Sequence, residues 1–140
     1  MKKTALALTA CAALTLAACG GEETLSKAEF TKQANAICAS MEKKMEAAGE
    51  KAATANPGAT MDDMMKDVVE AAVPVLEDTV TKLRALAAPE DLQDDFDAML
   101  DEVASTTDKI EKDPKVLMDD ATFEDANKKA TDLGLDKCAS

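Results

Sequence analysis

Apolar residues in this chain recur at spacings of three and four, and no stretch alternates with a period of two over a useful length. That rhythm places apolar side chains on one face of a helix and gives a sheet nothing to build on. An all-α fold is therefore expected, and the start and stop chemistry divides it into four helices. The first opens at Ser26, which forms a capping box with Glu29, with Leu25 and Phe30 at the flanking staple positions. Its stripe is Phe30, Ala34, Ile37, Met41, Met45, Ala48 and Ala52, and Asn56, Pro57 and Gly58 break it. The second starts at Thr60, with Asp62 and Asp63 in the first turn, where the helix dipole favours acids. Its stripe of Met61, Met65, Val68, Ala72, Leu76, Val80, Leu83 and Ala87 leads up to Pro89. Pro74 lies inside the pattern and is expected to kink this helix or to break it near Val73.

The third helix is expected from Glu90 to Lys112, with Leu92, Phe96, Met99, Val103 and Ile110 inward and Asp113–Pro114 as its stop. A short helical turn carrying Val116 and Leu117 follows. The fourth opens at Thr122, with Asp125 completing a box-like cap and Phe123, Ala126, Ala130 and Leu133 inward. Gly134 then stands at the left-handed C′ position, with the apolar Leu135 after it. Amphipathic helices joined by short connections favour an up-down bundle of four.

The first residues read as a signal peptide. Lys2 and Lys3 give a positive start, and the apolar run from Ala5 to Leu16 is shorter than the roughly 20 residues of a membrane-spanning helix. It ends in Leu16-Ala17-Ala18-Cys19, which resembles a bacterial lipobox, with Cys19 as the thiol that takes the lipid. The expected organisation is a lipoprotein signal peptide at 1–18, the lipidated cysteine and a short linker at 19–25, and a helical domain at 26–140. The linker residues Gly20 to Thr24 reach no more than roughly 18 Å, so the domain is held close to the lipid surface.

Loss of Lys2 and Lys3 with the signal takes the net charge from −12 to −14. So acidic a surface repels nucleic acid and anionic lipid heads, which leaves a lipid anchor and an envelope protein as the expected partners. The chain has no His, Trp or Tyr, and its three Phe are Phe30, Phe96 and Phe123. The usual general base, the commonest zinc ligand and the usual stacking platforms are thereby missing, and neither an enzyme nor a cofactor is expected.

Of the four cysteines, Cys11 leaves with the signal and Cys19 carries lipid, so Cys38 and Cys138 remain. In an oxidising compartment a disulfide between them is the default, closing the bundle, with a free-thiol or metal-ligand role for Cys38 as the alternative. The first helix is long and the fourth short, so the tail after the fourth can bring Cys138 level with Cys38. Methionine is the one enriched soft ligand. Met41 and Met45 share a helix face with Cys38, while Met61 and Met64 lie just across the first connection. Thioethers select Cu(I), which makes Met41, Met45, Met61 and Met64 a candidate copper set; the bland reading is core packing. A groove at Pro74 is a candidate site for a small apolar ligand. The acidic runs at 62–63, 94–101 and 119–120 have no EF-hand spacing and read as solvated faces.

Two local patterns also look familiar. Phe30 is followed by Ala34-Asn35-Ala36-Ile37-Cys38, and Gly134-Leu135 is followed by Cys138. Together they resemble small actinobacterial secreted or lipid-anchored proteins that share an A-x-A-I-C start and a G-L-x-x-C finish. The stretch from Leu83 to Leu86, with Pro89 leading into an acidic helix, is similar in style. The resemblance implies a helical domain pinned by a terminal disulfide, with Cys38 and Cys138 as structural residues, and implies no activity.

Overall fold

A computed structural model describes residues 24–55 and 58–139. The expected signal peptide, Cys19 and most of the linker lie outside those residues, as do Asn56 and Pro57. The described residues form four α-helices that pack in chain order, each against the next, with no strand among them. They are α1 (Lys27–Ala55), α2 (Met61–Arg84), α3 (Gln93–Lys112) and α4 (Glu124–Asp132), with a 3₁₀ turn at Pro114–Met118 between the last two. None of these helices is long and apolar enough to cross a membrane.

The caps explain where the helices begin. Ser26 Oγ donates to the Glu29 carboxylate at 2.6 Å, and the Glu29 N–H donates back to Ser26 Oγ at 3.3 Å. Thr60 and Asp63 make the same reciprocal pair at the start of α2, at 2.7 and 3.2 Å. The expected cap at Thr122 does not form. Thr122 Oγ1 donates to the Val116 carbonyl instead, and α4 opens after Phe123 with no side-chain cap. The hydroxyl is drawn to the 3₁₀ turn before it and is lost to the helix after it.

Pro74 does not split α2, which runs unbroken from Met61 to Arg84. The missing proline N–H frees the carbonyl of Glu70, and both residues are exposed, so the loss falls on the solvent side of the helix. The α2–α3 connection is longer than the stripes imply: α2 ends at Arg84, not beside Pro89, and α3 begins at Gln93, not Glu90. A residue before proline is disfavoured in helical conformation, which bars Ala88 from continuing the helix. The chain turns tightly instead, through Leu86 N–H to Leu83 O and Ala88 N–H to Leu86 O, both at 3.0 Å, and buries Ala88.

The Leu25 N–H bonds the Ala87 carbonyl at 2.9 Å and Lys44 reaches Asp78 at 2.8 Å, so α2 returns along α1. The main core gathers Phe30, Ala34 and Cys38 from α1, Leu83 and Ala88 from α2 and its exit, and Phe96, Met99 and Leu100 from α3. The far end of the chain adds Ala130, Leu133 and Leu135. Phe30 and Phe96 meet edge to face with ring centroids 4.8 Å apart, joining α1 to α3 through side chains. A smaller core joins Val69, Val73 and Ile110, with Val116 and Phe123 packed on it.

The end of α4 closes on α1. Gly134 takes φ +74°. Its N–H donates to Thr131 O at 2.9 Å, and the Leu135 N–H donates to Ala130 O at 2.8 Å, which together make a Schellman stop. Leu135 is then fully buried, and Cys138 is bonded to Cys38 with the Cα atoms 5.1 Å apart. Asn35 holds the same tail a second way: its Nδ2 donates to Gly134 O at 3.3 Å, and its Oδ1 accepts the Lys137 N–H at 2.9 Å.

Candidate functional site

The helix faces meet without filling the space between them. A cavity of about 270 Å³ lies among all four helices beside the disulfide. Met41 and Met45 of α1 form one wall, Leu76, Val80 and Leu83 of α2 another, and Met99, Leu100 and Val103 of α3 a third. Phe123 and Ala126 at the start of α4, with Cys38 and Cys138, complete it. The polar side chains in the lining are Thr79 and Asn127. Thr79 is buried and its hydroxyl donates to the Val75 carbonyl at 2.7 Å, so its hydrogen is already used within α2.

Among the described residues, no Asp, Glu, Lys or Arg lines this cavity. The titratable groups whose affinity for protons is altered lie on the surface. Hydrogen bonds from Lys44 and then Lys82 hold the Asp78 carboxyl below its usual range, and the bond to Asp78 raises Lys44. The Ser26 and Thr60 caps lower Glu29 and Asp63 in the same way. These shifts belong to helix ends and to the α1–α2 seam, away from the apolar interior.

The candidate residues from the sequence are separated by the fold. Cys38 and Cys138 form a disulfide, so neither offers a thiolate. Met41 and Met45 line the cavity. Met61 and Met64 are exposed at the opposite end of α2, Met61 at 66%. Lys44, next to Met45, pairs with Asp78. Met61 is 17 residues before Asp78, about 25 Å along the helix at its ordinary rise. The four methionines thus do not share one site. Met99, absent from the expected set, joins Met41 and Met45 at the cavity; its place on the α3 stripe was the signal. Among the described residues, no three Cys, Asp or Glu side chains gather as a metal-holding group.

The hollow beside Pro74 is lined by Val69, Val73 and Pro114, and also by Lys66, Glu70, Glu77 and Glu111. Its charged wall makes it a poor seat for an apolar molecule, and the apolar space is the cavity among the four helices. Comparison of the chain with protein-family models, with curated proteins and with solved structures finds no match.

Proposed function

We propose that this chain is a non-enzymatic binding module of the cell envelope, anchored on the extracytoplasmic face by lipid at Cys19, with a small apolar ligand held among its four helices. The observation that carries the ligand reading is the cavity of about 270 Å³ with its apolar walls. Small-molecule sites are concave and mostly apolar, with few polar groups, and they commonly form between the helices of bundles. An apolar void of about 150 Å³ already takes benzene. The reading is of an up-down bundle: α2 returns along α1, and the tail crosses back to α1 at Cys38. Among the described residues the lining carries no ionised side chain, which suits an uncharged occupant.

A thermal melt followed by helical circular dichroism tests this reading. A neutral alkanol at about 100 times its dissociation constant adds about 2.7 kcal/mol, which raises the melting temperature by roughly 10 °C in a domain of this size. An unmoved melt across medium-chain alkanols would refute it. A shift produced by Cu(I) alone would favour a thioether metal site at Met41, Met45 and Met99 instead.

A second reading rests on the surface of α3. Asp94, Asp101 and Asp108 recur every seven residues and are exposed, so they form a row of carboxylates along one side of the helix, of which Asp101 is already paired with Arg84 at 2.6 Å. That row suits a basic surface on an envelope protein. Proximity labelling in cells that recovers no envelope protein above background would remove this reading.

A further inference from the structure

Asn127 is the one lining residue whose side chain has hydrogen-bonding capacity to spare in both senses. Its backbone is satisfied, the N–H by Phe123 O at 2.8 Å and the carbonyl by Thr131 Oγ1 at 2.9 Å. Its side-chain amide makes no hydrogen bond to any described residue, and it lies in the wall of an otherwise apolar space. A carboxamide in such a wall offers two N–H donors and a carbonyl acceptor. Asn127 is half-buried, so the amide stands at the edge of the apolar space, where an occupant's hydroxyl can take the place of water.

Resting on the ligand-binding reading above, we infer that the occupant is an uncharged alcohol of medium chain length, with its hydroxyl at the Asn127 amide and its hydrocarbon body against Met41, Met45 and Met99. Three features select that chemistry. With no ionised side chain in the lining, a carboxylate or ammonium would lose its hydration with no opposite charge to meet. A hydroxyl both donates and accepts, and so matches the amide. Thr79 supplies at most a further acceptor, because its hydrogen is committed to Val75. Methionine side chains are unbranched and reshape around a flexible chain. Scaling from benzene in about 150 Å³, a space of 270 Å³ accommodates roughly 11 non-hydrogen atoms.

The test uses the lipid-anchored protein in nanodiscs with ¹³C-methyl methionine, titrated with 1-nonanol, n-decane and nonanoate. The Met41, Met45 and Met99 methyl signals are expected to move with 1-nonanol and n-decane, while the exposed Met61 and Met64 stay still. Nonanoate should bind at least ten-fold more weakly than 1-nonanol, a comparison that needs no variant. Asn127→Leu should weaken 1-nonanol about ten-fold, the worth of one hydrogen bond, and leave n-decane no weaker. Equal binding of nonanoate and 1-nonanol, or an unchanged affinity for 1-nonanol in a folded Asn127→Leu protein, overturns the inference and leaves apolar binding standing. Methyl signals that move with none of the three probes overturn the ligand-binding reading itself.

Discussion

Replacing Cys138 with Ala removes the bridge to Cys38 and changes little else in the folded state. Cys138 is half-buried at the end of the chain, and the tail keeps the buried Leu135 and both hydrogen bonds to Asn35. The effect therefore falls mainly on the unfolded chain. The bridge spans a sequence separation of 100 residues, and freeing a loop of that length returns about 4.7 kcal/mol of chain entropy at 25 °C. Measured losses run about 2–5 kcal/mol, against a total stability of about 5–15 kcal/mol for an ordinary domain. At a urea dependence of about 2 kcal/mol per molar, the unfolding midpoint should fall by roughly 1–2.5 M. The m-value should rise, because the uncrosslinked chain unfolds further. The assay is urea unfolding followed by helical circular dichroism, for the variant and for the parent with and without reductant. Cys38→Ala should lose somewhat more, since Cys38 is packed in the main core and its truncation leaves space there. A midpoint unchanged in Cys138→Ala would refute the reasoning, whatever the reduced parent did.

Gly134→Ala should destabilise by about 1–2 kcal/mol, because φ +74° penalises a side chain although nothing lies within 4 Å of where its Cβ would stand; an unchanged melting temperature would sink that account. Glu29, Asp63 and Asp78 bind protons less readily when folded, so their contribution is present above ordinary carboxylate values and is lost as pH falls through their lowered ones. The urea midpoint should thus decline below about pH 4, and a flat profile down to pH 2.5 would contradict it. Lys44 has the opposite sign, its contribution fading as pH climbs past the usual lysine value, and Asp78→Asn should flatten both limbs. Cys19→Ala should move the chain from the membrane fraction to the soluble one on fractionation of cells, and continued membrane retention would overturn the lipid-anchor proposal.

The helices were legible where their boundaries are written in local chemistry: Ser26 with Glu29, Thr60 before α2, Pro114 after α3, and Gly134 with Leu135. What depends on neighbours was not. Leu100 is fully buried yet falls outside the expected α3 stripe. α3 packs on α2 at one side and α4 at the other, so its buried arc is wider than a single row of three- and four-residue steps, and Met99 and Leu100 both face inward. The Asn35 clamp joins residues about 100 apart, so nothing local announces it. Periodicity names the residues that face inward but not how well they fill the interior, which is why the cavity, with Asn127 in its wall, emerges only from the packed helices. The methionine set divided for a simpler reason: neighbours across a short connection diverge at 1.5 Å per residue as each helix runs on.

Packing in chain order has a consequence for the time course of folding. Every helix finds its main partner in the next one along, so α1 with α2, and then α2 with α3, can assemble from contacts close in sequence, the class of topology that folds fastest. The core around Phe30 and Ala34 is different, because Leu133 and Leu135 join it from about 100 residues further along the chain. During synthesis Phe30 and Ala34 lack those partners until Leu135 has emerged, and oxidation of Cys38 must wait for Cys138. A chain cut before Leu133 would keep its helices but lack Leu133 and Leu135 in their shared core, a species with reason to aggregate.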